Sequence, residues 1–477
     1  MAKRLIAIAM VALMIVALVG CGSSKREIVQ LTLSTEDSTA ILAAAGIMLP
    51  DAENVAGTNT TIKFHKWTDD FHNYSEDEII NTGYWTFVNK YGGEVEWIEC
   101  TYDNRFDDLA NLVLASNSPD FTTCSVTTFP YYCIKGIFVP VDDYIDYTDP
   151  LWEGTAEFAA NYFSIGGQNY AIITDIKATT VIAYNRRVME EWGYDDPAEL
   201  YYNDEWTWDV FYEMCVDFSD PDEDRYALDG WYWEQAIIDS TGVTVIALED
   251  GVFVSDIDNP LLEEAEALIY DLNKNDCVYP RWNNSYQCRN SNTVGAGVKE
   301  GLTLFYPVEK WGFTDTVENI SSVWGDITEG EVMFCPMPRN DDGDGNYYLA
   351  AQPVGYHIIQ GAKNPEAVYL LSACERFKVL DPTVIDIDTK QLKETYMWTD
   401  EMLDMLDETY TLVNNYQIVN FTSGCQTALK DAVNNLIGGT LGNSPSTWAQ
   451  LKETYSERIA YYVDELNAMF TGEIEVE

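Results

Sequence analysis

Alternating and helical runs of apolar residues follow one another along most of this chain. Residues 61–67, TIKFHKW, alternate as a half-buried strand does, and residues 106–113 then repeat apolar side chains at helical spacing. The helical pattern breaks before Pro119, and residues 120–126 return to strand character. This strand, helix, strand order predicts an α/β fold with a parallel sheet and helices on its faces.

Later segments combine helix-start signals with an amphipathic face. Asn185 is a capping residue and Gly193 a helix terminator, and Asn364 precedes a proline in the first helical position. The helices predicted in this way cover approximately residues 185–193, 207–218, 364–377 and 448–466. Their apolar faces include Trp192, Trp208 and Trp448, which we therefore assign to packing.

The first twenty residues have the pattern of a targeting signal. Lys3 and Arg4 precede an apolar run over residues 5–19, which is too short for a comfortable membrane span. Residues 18–21, Leu-Val-Gly-Cys, resemble the lipobox of bacterial lipoproteins, in which the cysteine is lipidated. This resemblance implies a signal peptide over residues 1–20 and a lipid anchor at Cys21, and the alternative is an ordinary secretory signal.

Residues 21–59 lack sustained periodicity and are rich in Ser, Thr, Ala and Gly, which favours a flexible tether. The apolar run over residues 40–45 is an exception and is a candidate for docking on the globular part.

The charge balance limits the choice of partners. The chain has 27 Lys and Arg against 79 Asp and Glu, a formal net charge of −52 at pH 7. Nucleic acid and anionic lipid headgroups are bound by clustered basic residues, so neither is expected as a partner. A cationic ligand would fit the charge, but a solvated surface that keeps an exported protein soluble also accounts for it.

The cysteines leave their pairing open. Of ten cysteines, Cys21 is assigned to lipid, and the odd remainder implies at least one free thiol. The pairs Cys124/Cys133 and Cys277/Cys288 are close enough in sequence for a local disulfide, whereas several other cysteines stand among apolar residues.

Patterns that carry catalysis or bind cofactors are missing. The sequence has no G-x-S-x-G, H-E-x-x-H, Walker or G-x-G-x-x-G motif and only three histidines. The acidic turn over residues 341–346 fails the EF-hand pattern, and we interpret it as a solvated hairpin. With 79 acids, a pair of carboxylates suited to glycoside hydrolysis cannot be singled out. We therefore expect no enzyme activity, no metal and no cofactor.

Taken in order, several segments resemble the bacterial extracellular solute-binding proteins of ABC importers, in particular the maltodextrin-binding-like family 1. The segments are TIKFHKWTD, NRFDDLANLVLASNSPDF, FVPVDDYID, QNYAIITDIKATTVIAYNRRVMEEWGYDDP, EWTWDVF, CPMPRNDDGDGNYY and GAKNPEAVYLLSACERF. The resemblance implies a two-lobe periplasmic-binding-protein-like fold of type II, with the ligand in a cleft between lobes that close over it.

The resemblance also implies where the chain crosses between the lobes. The crossings would fall near residues 171–184, 349–360 and 415–423. Lobe 1 would comprise residues 60–175 and 358–415, and lobe 2 residues 186–350 and 420–470.

Aromatic residues make up 13% of the chain, and flat aromatic faces suit the C–H faces of sugar rings. The resemblance implies that certain loop positions face the cleft, and that Asp175 and Lys177 in the first crossing lie at its floor, where they would contact the ligand or form a hinge salt bridge. The ligand-binding candidates are Trp67, Asp69, Ser125, Thr127, Asp175, Lys177, Trp231, Tyr232, Trp233, Trp311 and Gln352.

These expectations together describe a monomeric, lipid-anchored extracytoplasmic protein that captures an oligosaccharide and delivers it to an ABC permease. A surface glycan-binding or sensory lipoprotein of the same fold and a binder of a cationic or peptide ligand are alternatives. A secreted glycoside hydrolase fits least well.

Overall fold

The computed structural model describes residues 40, 42–53, 55, 57–72, 82–230, 233–280, 288–290 and 292–474. The predicted signal peptide, the lipidation site at Cys21, most of the predicted tether, Trp231 and Tyr232 lie outside the described residues.

Strands and helices alternate through most of the described chain. The strands are β1 (Thr61–Lys66), β2 (Glu94–Glu99), β3 (Phe121–Thr123), β4 (Ser164–Ile165), β5 (Gln168–Asn169), β6 (Ile172–Ala178), β7 (Val181–Asn185), β8 (Tyr226–Leu228), β9 (Ile246–Glu249), β10 (Val252–Ser255), β11 (Thr303–Val308), β12 (Val332–Cys335) and β13 (Ala351–Ile358). The helices are α1 (Thr82–Tyr91), α2 (Arg105–Leu114), α3 (Tyr131–Ile134), α4 (Ala156–Tyr162), α5 (Arg186–Trp192), α6 (Pro197–Tyr202), α7 (Trp208–Phe218), α8 (Trp233–Asp239), α9 (Pro260–Lys274), α10 (Val317–Val323), α11 (Pro365–Leu380), α12 (Pro382–Glu394), α13 (Asp400–Asn415), α14 (Thr427–Ile437) and α15 (Trp448–Phe470).

The chain divides into two compact units. Unit 1 contains the described residues up to Cys124, together with Gly136–Asp175 and Val354–Lys390. Unit 2 contains Ser125–Lys135, Ile176–Pro353 and the described residues from Gln391 onward. Two of the boundaries between the units therefore fall inside strands β6 and β13.

A five-stranded sheet in the order β2-β1-β3-β13-β6 organises unit 1. Strand β1 pairs in parallel with β2 and β3, whereas β13 pairs antiparallel with β3. The expected all-parallel sheet is therefore wrong at β13. The earlier strands follow one another through helical crossovers, which favour parallel pairing, but β13 returns to the sheet after the long excursion through unit 2 and is free of that constraint.

The core of unit 1 lies on this sheet. The rings of Phe64 and Phe121 stack with centroids 4.8 Å apart, and both side chains are fully buried. Helix α11 covers them with buried aliphatic residues, because its apolar positions recur at helical spacing after the Pro365 start.

Part of the predicted tether packs on unit 1. Leu42 is only 2% exposed, and Ile47, Leu49 and Val55 lie against the core of unit 1. The hydroxyl of Tyr91 donates a hydrogen bond to the Pro50 carbonyl at 2.6 Å. The described residues between 42 and 55 are therefore held by apolar contacts in the same way as the rest of unit 1.

Unit 2 has a four-stranded sheet in the order β12-β7-β11-β8 and a separate antiparallel β9–β10 pair. All residues of β7 and β11 are buried, as expected for central strands covered on both faces. Helix α3 belongs to this unit because Phe129, just before it, packs against Phe421 and Phe470.

The unit boundaries differ from the predicted lobes in two places. Residues 125–135 and 391–415 group with unit 2, and the third predicted crossing, residues 415–423, lies within unit 2 as well. Helix α13 packs on β12, which explains why residues 400–415 belong there.

Local sequence signals predicted the two ends of α5 correctly, but they did not predict how exposed its side chains are. The Asn185 side chain accepts a hydrogen bond from the Val188 amide at 3.2 Å, and Gly193 ends the helix at φ +73°. Trp208 and Trp448 are buried as predicted, whereas Trp192 is packed only in part and stays 37% exposed. Its indole lies on Phe218 and under the Arg225 guanidinium and covers the core edge from outside.

Of the nine cysteines that the structure describes, eight are buried and Cys288 is half-buried. Neither of the two closely spaced pairs forms a disulfide. Burial raises the pKa of thiols such as Cys215 and Cys425, so they behave as small apolar core residues.

Candidate functional site

The predicted site residues fall into both units. Unit 1 contains Trp67, Asp69 and Asp175, and unit 2 contains Ser125, Thr127, Lys177, Trp233, Trp311 and Gln352.

In unit 1, Trp67 belongs to an exposed aromatic group that we call the unit 1 platform: Trp67, Tyr102 and Arg105. The rings of Trp67 and Tyr102 meet edge to face at 4.9 Å, and they are 37% and 50% exposed. The Arg105 guanidinium lies 3.9 Å from the Tyr102 ring centroid and 5.6 Å from that of Trp67. Such stacking restrains three long side chains, while both rings stay partly exposed.

The ends of two neighbouring strands create this platform. Trp67 follows β1, and Tyr102 follows β2, the parallel neighbour of β1. Because carboxyl ends of parallel strands meet at one sheet edge, the two rings come together. Tyr102 and Arg105 were missed by the sequence analysis, although the position of Tyr102 after a strand was a signal that could have found it.

Polar contacts fix the backbone beneath the platform. The Lys66 ammonium lies 5.2 Å from the Trp67 ring centroid and pairs with Asp70 at 2.5 Å. The Trp97 indole N–H donates to the Lys66 carbonyl at 2.9 Å. The residue before Trp67 is therefore restrained through both its side chain and its backbone carbonyl.

Asp69 has a structural task within its own loop. Its Oδ1 accepts hydrogen bonds from the amides of Phe71 and His72, both at 3.1 Å, and lies 3.0 Å from His72 Nδ1. The side chain is only 12% exposed. A ligand at Asp69 would meet a carboxylate whose first oxygen already accepts these bonds.

The two charges in β6 have partners in different units. Asp175 lies in unit 1, where its carboxylate raises the pKa of the buried Arg376 against the stronger lowering effect of burial. Lys177 lies in unit 2, where its ammonium acts on Glu309. These charges therefore have local electrostatic partners within the folded chain, which the sequence could not identify.

We define the unit 2 cluster as Lys177, Glu309 and Trp311. Glu309 follows β11, and burial raises its pKa to about 7 while the Lys177 ammonium opposes this rise. Trp311 stands in the short helical turn after Glu309 and is 53% exposed. A carboxyl, an ammonium and an open aromatic face are thus available close together, and Glu309 was missed by the sequence analysis.

Ser125 and Thr127 form a hydroxyl-rich turn at the start of unit 2. Their side-chain oxygens are 2.7 Å apart, and the Thr127 amide donates to Ser125 Oγ at 3.3 Å. Thr128 Oγ1 accepts from the Ser125 amide at 3.1 Å. Both predicted residues are half-buried, and their hydroxyls already serve this turn.

The remaining predicted residues differ in accessibility. Trp233 is fully buried at the start of α8, so the structure does not bring it to the surface. Gln352 is half-buried in β13. Trp231 and Tyr232 lie outside the described residues.

Unit 2 also buries carboxyl groups that no sequence pattern indicated. Asp239, 6% exposed, accepts from Gln235 Nε2 at 2.8 Å, and burial raises its pKa to about 7. Glu266, 1% exposed, accepts from Thr440 Oγ1 at 2.9 Å, and burial with nearby Glu234 raises its pKa well above the usual range. Both groups favour the protonated form in the folded protein.

Within the described residues, no three His, Cys, Asp or Glu side chains come together in a way that could hold a metal ion. The acidic turn is closed by its own contacts, since Asp344 accepts from the Tyr348 hydroxyl at 2.5 Å and the Asn346 amide at 3.0 Å. None of the helices in the described ranges is both long and apolar enough to cross a membrane.

Comparison with known families identifies one match. A family model described as bacterial extracellular solute-binding protein matches residues 86–370, more than half of the chain. No curated protein sequence matches.

Solved structures of the same fold come from several bacteria. The GacH receptor of Streptomyces glaucescens, solved with acarbose, is 14% identical with a TM-score of 0.58 over 87% of this chain and 98% of its own. A galacto-N-biose/lacto-N-biose I-binding protein of an ABC transporter from Bifidobacterium longum is 14% identical with a TM-score of 0.59, over 88% of this chain and 100% of its own. A Listeria monocytogenes ABC substrate-binding protein in complex with cycloalternan is 12% identical with a TM-score of 0.60, over 84% and 99%. These likenesses establish the two-lobe solute-binding fold and confirm that expectation.

Proposed function

Because the chain belongs to the bacterial extracellular solute-binding proteins, we propose that it captures an oligosaccharide outside the cytoplasmic membrane and delivers it to an ABC permease. The unit 1 platform is the observation that supports a carbohydrate ligand. Exposed Trp67 and Tyr102 offer apolar faces of the size of a sugar ring, and Arg105 adds hydrogen-bond donors at their edge.

The unit 2 cluster supplies the complementary chemistry. Sugar hydroxyls both donate and accept hydrogen bonds, so they are best recognised by a carboxylate acceptor beside a cationic donor. Glu309 and Lys177 are such a pair, and Trp311 next to them is open for stacking. We propose Trp67 and Asp175 as ligand contacts in unit 1, and Ser125, Thr127, Lys177, Trp311 and Gln352 in unit 2. For Asp69 we propose a supporting role, because its hydrogen bonds order the loop that follows Trp67.

A cationic ligand is less favoured by the same geometry. The Arg105 guanidinium lies near the rings of both Trp67 and Tyr102, and the Lys66 ammonium lies near the ring of Trp67. A polyamine stacking there would meet these cations at close range, which costs binding energy.

Attachment and delivery complete the proposal. A lipid at Cys21 would anchor the protein outside the membrane, and the captured sugar would be passed to permease subunits by the monomeric protein. Metabolic labelling with a fatty-acid analogue tests the anchor, because Cys21→Ser would abolish the label if that residue is the lipidation site.

The experiment on the ligand is a thermal-shift screen of the chain from residue 22 onward. Neutral mono- and oligosaccharides, polyamines and peptides are compared, since a ligand that binds the native state raises the melting temperature. Hits are titrated calorimetrically against wild type, Trp67→Ala and Tyr102→Ala.

Tyr461→Ala is the matched control for these variants, because Tyr461 is an aromatic residue of unit 2 that is 62% exposed and outside the proposed contacts. We expect an oligosaccharide to shift the melting temperature and the platform variants to weaken its binding about tenfold, with the control unchanged. A clear shift with polyamines and none with any sugar would refute the carbohydrate proposal.

A further inference from the structure

A buried arginine ties together three backbone segments next to a unit boundary. Arg376 on α11 is 7% exposed, and its Nε donates to the Leu151 carbonyl at 3.0 Å. Its two terminal nitrogens donate to the carbonyls of Thr174 at 3.1 Å and Glu153 at 2.6 Å. All three nitrogens of the guanidinium thus hold main-chain oxygens, and one of these oxygens belongs to β6 directly before Asp175.

Burial of this cation costs solvation free energy, so an arginine at this position must supply something that an apolar side chain would not. Taking a guanidinium out of water lowers the pKa of Arg376, and the Asp175 carboxylate partly offsets this effect. An apolar side chain of similar volume would fill the space without that penalty. What the apolar side chain could not supply is a fixed planar fork of donors for three carbonyls together with a positive charge that interacts electrostatically with Asp175.

A second contact holds the same point of β6 from the opposite strand. Thr174 Oγ1 donates to the Val354 carbonyl of β13 at 3.1 Å. Next to it, β13 passes so close that a Cβ on Gly355 would lie 2.0 Å from the Ile172 carbonyl oxygen. Thr174 is therefore bonded through its carbonyl and its hydroxyl, and Asp175 is the first residue beyond this fixed point.

From these contacts we propose that Arg376 is a positioning residue for ligand binding, which orients the Asp175 carboxylate toward the sugar by fixing the Thr174 backbone directly before it. The inference rests on the proposed function, because it takes Asp175 as a contact of the captured carbohydrate. The ligand that benefits is a neutral sugar whose hydroxyls donate to an ionised, preoriented carboxylate.

The test is a double-mutant cycle on carbohydrate affinity. Arg376→Met and Asp175→Asn are each expected to weaken binding of the sugar found in the screen about tenfold, because a preoriented acceptor is lost. If Arg376 acts through Asp175, the double variant also binds about tenfold more weakly, instead of about a hundredfold. Arg376→Lys keeps the charge and should recover part of the affinity.

The matched control is Lys378→Met, which removes another cation of helix α11. The Lys378 ammonium pairs with Glu375 at 2.8 Å. Its affinity should stay within about twofold of wild type. Melting temperatures are measured in parallel, since a residue that only stabilises the fold would lower the melting temperature of Arg376→Met and leave the sugar affinity of the folded protein unchanged. That result, or additive losses in the double variant, would overturn the proposal.

A ligand-independent measurement separates this proposal from the proposed function. If no carbohydrate binds wild type, the proposed function fails, and amide hydrogen exchange then decides on Arg376. Faster exchange over residues 172–178 in Arg376→Met, with unchanged exchange over residues 61–66, supports its control of the strand. Equal exchange over residues 172–178 in the two proteins refutes it.

Discussion

The guanidinium of Arg105 stacks on the ring of Tyr102 at 3.9 Å and also lies 4.4 Å from the ring centroid of Phe106. Its Nη1 donates to the Tyr102 carbonyl as well, so one side chain restrains both the ring and the backbone of the same residue. The exposed face of Tyr102 is therefore presented in a defined orientation, which lowers the entropy that a ligand must remove on binding.

Loss of this stack should weaken sugar binding without unfolding the protein. We expect Arg105→Met to raise the dissociation constant of a bound oligosaccharide about two- to fivefold, because an exposed cation–π contact contributes roughly 0.5–1 kcal/mol. The dissociation constant of Arg105→Lys should lie between those of wild type and Arg105→Met. Isothermal titration calorimetry measures the effect, and an affinity equal to that of wild type in Arg105→Met would show that the stack does not orient Tyr102 for the ligand.

Glu309 should make ligand binding depend on pH near neutrality. Burial raises its pKa to about 7, so the carboxyl is largely protonated at pH 6 and ionised at pH 8. If the ionised form accepts sugar hydroxyls, affinity rises with pH over this range. Glu309→Gln should flatten the profile, whereas Lys177→Met should move its midpoint to higher pH because the opposing ammonium is gone.

Titrations of wild type and both variants at pH 6, 7 and 8 provide the measurement. The Trp311→Phe variant is a useful control, because it should lower affinity at all three pH values and keep the slope. A pH profile that is the same for wild type and Glu309→Gln would contradict a role for this carboxyl.

How far the sequence predicted these features depends on how local their causes are. The start and end of α5 could be read from Asn185 and Gly193, since capping and a positive φ involve only nearby backbone. The exposure of Trp192 and the burial of Trp233 could not, because they depend on which distant segments cover each helix face.

The same distinction applies to the candidate site. Trp67 was proposed from its place after a strand, whereas Arg105, Glu309 and Arg376 were not proposed from the sequence. Their significance arises from partners at Tyr102, Lys177 and Thr174, and spatial pairing of this kind cannot be read from spacing along one sequence. The antiparallel pairing of β13 was missed for a related reason, since the residues of a strand that returns from another unit do not indicate its direction in the sheet.

The buried carboxyls of unit 2 should make the fold less stable as pH rises. The pKa of Asp239 is raised to about 7, and that of Glu266 also lies well above its usual range. Above pH 4 these two carboxyls therefore hold more protons in the folded state than in the unfolded state, and their contribution to the free energy of unfolding falls with increasing pH. For each group the slope is at most about 1.4 kcal/mol per pH unit, and for Asp239 it levels off above pH 7.

Asp239→Asn and Glu266→Gln should consequently raise the midpoint of urea unfolding at pH 8 and have less effect at pH 5. Asp464→Asn is the control, because this exposed acid on α15 changes only the overall charge. Equal stabilisation by all three variants would indicate that relief of the net charge of −52, instead of burial, controls the pH dependence.

Gly355 should tolerate no side chain. A Cβ there would lie 2.0 Å from the Ile172 carbonyl oxygen and 3.0 Å from Ile173 Cα, and both obstacles are backbone atoms that cannot rotate away. We expect Gly355→Ala to lower the free energy of unfolding by more than about 3 kcal/mol, since β13 and β6 must separate. At Gly345, φ is +87° but a Cβ would meet no atom within 4 Å, so Gly345→Ala should cost only about 1 kcal/mol. Urea unfolding of both variants compares the two costs, and equal values would show that backbone conformation, not the close approach of the strands, requires glycine at position 355.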